Sequence, residues 1–154
     1  MDVRQRLSTA MKEAMKSKDA DRLSTLRLIN AAIKDRDIAL RGTGAEDGAQ
    51  VSDDEVLGIL GRMVKQRQES ARAYEEGGRL ELAEKERAEV EVIEGFLPRQ
   101  LDEDETKAAI DAAIAETGAT GIRDMGRVMG ALKAKYTGQM DFGRVGPLVK
   151  ARLA

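Results

Sequence analysis

The chain has 154 residues, a net charge of −2, no cysteine and no histidine. That length supports one domain, or two small ones, with a core that needs no covalent staple. Without cysteine there is no disulfide framework or thiolate metal site, and without histidine the Ser–His and Cys–His dyads and most zinc sites are excluded.

Asp2 can cap a first helix, whose apolar stripe is Val3, Leu7, Ala10, Met11, Ala14 and Met15. This charged, amphipathic start lacks the apolar core of a signal peptide. No run in the chain approaches the roughly 20 residues of a membrane span, so the expectation is a cytoplasmic protein with no membrane partner. After the punctuation "SKDAD" a second helix places Leu23, Leu26, Ile29, Ile33 and Leu40 on its inner side. The segment "RGTGAEDGAQ" (41–50) holds three glycines and no apolar pattern, and reads as a mobile loop. Ser52 and Glu55 have the spacing of a capping box. They open a long helix from about Asp53 to Glu76, with the stripe Val56, Leu60, Met63, Val64, Arg67, Ala71 and Tyr74. Gly77-Gly78 ends it, and "RLELAEKERAEVEVIEGF" returns as the second arm of a helical hairpin.

Charges sit inside these stripes. Arg67 lies on the apolar face of one arm, and Glu86 lies between Leu82 and Val90 on the other. An unpaired charge there is costly to bury, so Arg67 is expected to form a structural ion pair with Glu86 or Glu89, with a ligand-binding role as the alternative. Arg67 in open solvent, away from any carboxylate, would refute the pairing.

Leu97-Pro98 breaks the pattern, because the residue before proline is pushed out of the helical region. Asp102 and Glu105 then cap a fifth helix with Ile110, Ala113 and Ile114 inward and Gly118 at its end. A sixth runs from about Asp124 to Tyr136, and a seventh starts at Asp141 with the stripe Phe142, Val145, Val149 and Leu153. Pro147 falls in its second turn, where a kink or a late start is expected. No strand pattern is visible. The expected fold is all-α: an N-terminal four-helix domain with a long helical hairpin over residues 1–97, and a small C-terminal three-helix domain over 98–154.

Charge is unevenly spread. Residues 69–116 carry 6 Lys and Arg against 15 Asp and Glu, whereas residues 117–154 carry 7 against 2. Such a split points to an anion-binding surface in the tail. No Walker A, G-x-G-x-x-G or G-x-S-x-G motif is present, and Glu89, Glu91 and Glu94 fall on differing faces. No catalytic residue, metal site or cofactor is expected. In the sixth helix Met125, Val128, Met129 and Leu132 form the core stripe, and Arg123 and Arg127 lie opposite. Gly126 and Gly130 share one flank with Lys133 a turn further on. Two interior glycines cost about 1 kcal/mol each relative to alanine, so something must approach the backbone closely. One candidate is a neighbouring helix packed on that flank. The other is the sugar–phosphate backbone of RNA, rimmed by Lys133, Lys135 and a Tyr136 ring able to stack on a base, with Arg144 and Lys150 extending the basic face.

Five segments then converge: "LRLINAAIK" (26–34), "VKQRQES" (64–70), "GRLELAEKE" (78–86), "FLPRQL" (96–101) and "MGRVMGALKAKY" (125–136). Together, in order and over nearly the whole chain, they resemble the YqeY, or GatB/YqeY-like, family. That family is similar to the C-terminal part of GatB, a subunit of the glutamine-dependent tRNA amidotransferase. The resemblance implies an all-helical fold with a three-helix C-terminal domain whose counterpart in GatB contacts tRNA without doing chemistry. The family's Met-Gly-x-Val-Met-Gly segment falls on Met125, Gly126, Val128, Met129 and Gly130, and its basic turn on Lys133 and Lys135. The implied partners are tRNA or another structured RNA, together with amidotransferase or aminoacyl-tRNA synthesis proteins. A glutamine-dependent carbon–nitrogen ligase activity is implied as a family label. GatB's kinase-like cradle and the amidase's Ser–Ser–Lys machinery have no counterpart here, so any amidation falls to another chain. An adaptor role for the acidic hairpin, residues 69–95, is the remaining alternative.

Overall fold

The computed structural model describes residues 2–44 and 48–154. These form seven α-helices with no strand among the described residues, so the chain is all-α. Residues up to Leu97 make one compact unit and residues from Pro98 onward another.

The first unit holds α1 (Val3–Ser17), α2 (Ala20–Gly42), α3 (Asp53–Glu76) and α4 (Leu80–Glu94). Asp2 opens α1 with a reciprocal box: its carboxylate accepts from the Gln5 N–H at 2.8 Å, and the Gln5 side chain accepts from the Asp2 N–H at 3.0 Å. Lys18 turns the chain with φ 56°, and Asp19 caps α2. The core joins Val3, Leu7 and Ala10 of α1 to Leu26, Ile29 and Ile33 of α2, and to Val56, Ile59, Leu60 and Met63 of α3. Val90 and Ile93 of α4 close it. Met15, expected inside, is 51% exposed because α1 needs only a narrow stripe against one main neighbour, α2.

The segment expected as a mobile loop over 41–50 is partly helical, since α2 continues through Arg41 and Gly42; its residues 45–47 lie outside the described residues. Only half of the expected box forms at α3. Ser52 accepts from the Glu55 N–H at 3.2 Å, and Glu55 does not reach back. The α3–α4 hairpin turns at Gly78, whose φ of 77° suits a residue without a Cβ. Its seam is small: Ala71 of α3 and Ala83 of α4 are both buried, while Tyr74 is half-buried. Leu82, expected on that seam, is 39% exposed. Ala83 takes the inward position, one residue and about 100° round the helix.

The second unit holds α5 (Glu103–Thr117), α6 (Met125–Tyr136) and α7 (Phe142–Leu153), with a single 3-10 turn over Ile122–Asp124 leading into α6. Asp102 and Glu105 cap α5 reciprocally, at 2.7 and 3.2 Å. Arg99 grips both Glu105 oxygens at 2.8 and 2.6 Å, and with the Asp102 N–H holds that carboxyl down at about 2. Gly118 ends α5 in the left-handed region with φ 65°. The core is Ile110, Ala113, Val128, Leu132, Met140, Val145, Val149 and Leu153. The start of α7 corrects the expectation of a late helix: it begins at Phe142 and runs through Pro147. The residue before the proline is Gly146, which has no Cβ to meet the ring.

Candidate nucleic-acid interface

The basic residues of the second unit divide into those already engaged and those left free. Asp124, at the end of the 3-10 turn, accepts from the Thr120 N–H at 3.0 Å and from Arg127 Nη2 at 2.6 Å. These two bonds, the backbone one first, hold its carboxyl near 2. The other terminal nitrogen of Arg127 donates to the Thr117 carbonyl at 3.0 Å, covering one of the orphan acceptors at the end of α5. Arg127 therefore staples α5 to α6. Arg152 is similarly engaged, with Asp111 at 2.7 Å. By contrast Arg123, Lys133, Arg144 and Lys150 are exposed, and none has a side-chain hydrogen bond or ion pair among the described residues.

The flank of α6 is open. Gly126 and Gly130 are exposed, and among the described residues, their chain neighbours and the adjoining helix backbone apart, no atom lies within 4 Å of where either Cβ would stand. The expectation that a neighbouring helix packs on this pair is overturned. At about 100° per residue, Gly126, Arg127, Gly130 and Ala134 share the face opposite Val128 and Leu132; Lys133 lies at its margin beside Gly126, whereas Lys135 lies well past the other edge, next to Val128. Both lysines lie in the last turn, where they also complement the negative end of the helix dipole.

Tyr136 stands differently from the sequence expectation. It is half-buried and packed against the core of the second unit, and the Lys135 ammonium sits 5.7 Å from its ring centroid. The ring is therefore engaged on the protein side and is not a free platform for a base. Lys135 belongs partly to this contact, which leaves Lys133 as the freer of the two lysines.

In the first unit Arg67 Nε donates to Glu89 at 3.0 Å and Arg67 Nη1 to the Met63 carbonyl at 3.3 Å. Glu86 is not brought to Arg67, being one turn nearer the start of α4. A second internal pair lies outside the sequence expectations. Asp37 of α2 is only 5% exposed, and both its oxygens accept from Arg4, at 2.8 and 3.0 Å. It also accepts from the Val51 N–H at 2.8 Å, while Arg4 reaches the Val51 carbonyl at 3.3 Å. The Arg4 hydrogen bonds hold the Asp37 carboxyl below the ordinary carboxylate range against the opposing effect of burial. The signal for it was available: Leu26, Ile29 and Ile33 set a spacing whose next inward position is residue 37.

Among the described residues no three His, Cys, Asp or Glu side chains gather as a metal site, and no helix is long and apolar enough to cross a membrane. Among the described residues the second unit offers exposed cations and bare helix surface.

Comparison with known proteins agrees with the segments that carried the resemblance. The chain is 36% identical, over 101 residues, to "Altered inheritance of mitochondria protein 41, mitochondrial" of Clavispora lusitaniae. The match takes in 64% of this chain and spans 55% of that relative's length. The family model described as Yqey-like protein matches residues 4–153, and the chain belongs to the YqeY-like family.

Proposed function

We propose that this chain is a non-catalytic RNA-binding accessory protein, and that tRNA or another structured RNA docks on the exposed face of α6 with help from α7. The observation that carries this reading is the unpacked Gly126–Gly130 flank beside Lys133. Two exposed glycines inside a helix weaken it by about 1 kcal/mol each, and packing does not offset that cost. Close approach by a ligand's backbone is the use that remains. The free cations Arg123, Lys133, Arg144 and Lys150 supply attraction, and the resemblance to the GatB tail supplies the class of partner. The mitochondrial location in the relative's name is a statement about that protein; a cytoplasmic setting is part of this proposal.

Binding of tRNA is expected to weaken with salt, with a slope of about −0.7 to −0.9 in log K per log salt for each phosphate contacted. Changing Lys133 and Lys135 together to alanine should flatten that slope by roughly 1.4 to 1.8. Both side chains are exposed, so a thermal scan should stay close to the parent's. Salt-independent binding, or a double variant that binds like the parent, removes the reading.

The GatB resemblance extends the proposal to glutamine-dependent amidation, with this chain holding RNA while a partner does the chemistry. Adding it to a reconstituted amidotransferase mixture is then expected to speed conversion of Glu-tRNA to Gln-tRNA. No acceleration would confine the role to RNA holding.

A further inference from the structure

We infer that the RNA recognised by this face is double-helical, held by its sugar–phosphate backbone and not by its bases. This rests on the RNA reading above and names the class of RNA that the same face takes. Proteins that hold single strands draw much of their affinity from bases stacked on aromatic rings. The chain has two tyrosines, two phenylalanines and no tryptophan. In the second unit both aromatics, Tyr136 and Phe142, are packed against the apolar core, and Tyr136 also lies under Lys135. Guanidinium planes can replace rings, but Arg127 is fixed by Thr117 and Asp124 and Arg152 by Asp111, which leaves Arg123 before α6 and Arg144 on α7, one plane on each.

What the second unit offers is exposed cations around α6 and on α7, chiefly Arg123, Lys133, Arg144 and Lys150. Cations of this kind contact phosphates and fix position without reading sequence. A duplex presents its phosphates already ordered, so cations carried on a folded three-helix unit meet them without first ordering a flexible strand. The minor groove of A-form RNA is wide and shallow, and lined with ribose hydroxyls. On that helix face Gly126, Gly130 and Ala134 leave the backbone uncovered, and Arg127, which shares the face, is drawn toward Thr117 and Asp124.

Fluorescence anisotropy with the full-length protein tests this. The probes are a 20-base-pair RNA duplex, a second duplex of unrelated sequence, and a non-self-pairing single strand of the same length. The duplexes are expected to bind within about twofold of each other and at least tenfold more tightly than the strand. Tyr136→Leu keeps an apolar side chain against the core, and is expected to change duplex affinity by less than about twofold. If a base stacked on that ring, the loss would be roughly 5- to 150-fold. A strand bound as tightly as the duplexes overturns this inference and leaves the RNA reading standing. Binding of none of the three probes overturns both. Should Tyr136→Leu unfold in a thermal scan, the strand-against-duplex comparison on the unaltered protein still decides.

Discussion

Replacing Asp37 by alanine is expected to destabilise the first unit by about 3 kcal/mol, the lower end of the range for breaking a buried ion pair. The loss has two sources. Arg4, whose side chain keeps 23% of its exposure, loses both carboxylate bonds, and the Val51 N–H loses the Asp37 oxygen that accepts from it. For a unit of this size the midpoint of thermal unfolding should fall by roughly 12–24 °C, at 4–8 °C per kcal/mol. Arg4→Ala should cost more, because the group it strands is the more deeply buried carboxylate. Combining Arg4→Met with Asp37→Leu should recover much of the loss, since apolar groups of similar volume need no partner. The pH dependence has a definite sign. Because the folded carboxyl titrates below its unfolded value, its contribution is complete above about pH 4 and disappears as the pH falls through the folded value. The parent should therefore lose stability on acidification in a window where Asp37→Ala is flatter. Circular dichroism melts of both proteins between pH 2 and 6 would check this, and parallel curves would remove Asp37 from the account.

Gly126→Ala and Gly130→Ala are expected to stabilise the second unit by about 1 kcal/mol each, because alanine replaces glycine in a helix interior where nothing crowds the new methyl. Each should raise the unfolding midpoint by roughly 4–8 °C. The same methyls stand between the α6 backbone and any RNA laid on it, so affinity for a duplex should fall several-fold while stability rises. Opposite signs in the two measurements are what a merely structural glycine pair would not produce. Higher stability with unchanged RNA affinity would detach these glycines from binding. Lower stability would mean that something packs on the flank after all.

The parts of the fold that were legible in the sequence are those decided within four residues along the chain. The Asp2 and Asp102 caps belong here, since an oxygen and an amide N–H three residues on suffice. So do the inward Leu26, Ile29 and Ile33, which follow from helical spacing alone. Decisions made between elements were less visible. The inward place of Asp37 is hidden because the stripe of α2 runs on equally well to Leu40, and the partners Arg4 and Val51 lie 33 and 14 residues away. Leu82 and Ala83 exchanged roles because the hairpin seam favours small residues, and which residue meets Ala71 depends on how two helices approach. The candidate site suffered most from this limit. The sequence places Gly126 and Gly130 on one flank, but whether that flank is covered depends on where α5 and α7 arrive. The same limit applies to Tyr136, which the pattern places at the surface and the core takes.

The scarcity of rings has a practical side. Each compact unit contains one tyrosine, Tyr74 in the first and Tyr136 in the second, and there is no tryptophan to mask either. Nature has thus supplied a separate reporter for each half of the chain. Two sets of tyrosine ring resonances in an NMR spectrum would follow the unfolding of the two units independently, without labelling chemistry or truncation. Tyr136, packed against the core of its unit and beneath Lys135, would register the loosening of α6 through its ring environment. Tyr74, half-buried on α3, would register the hairpin.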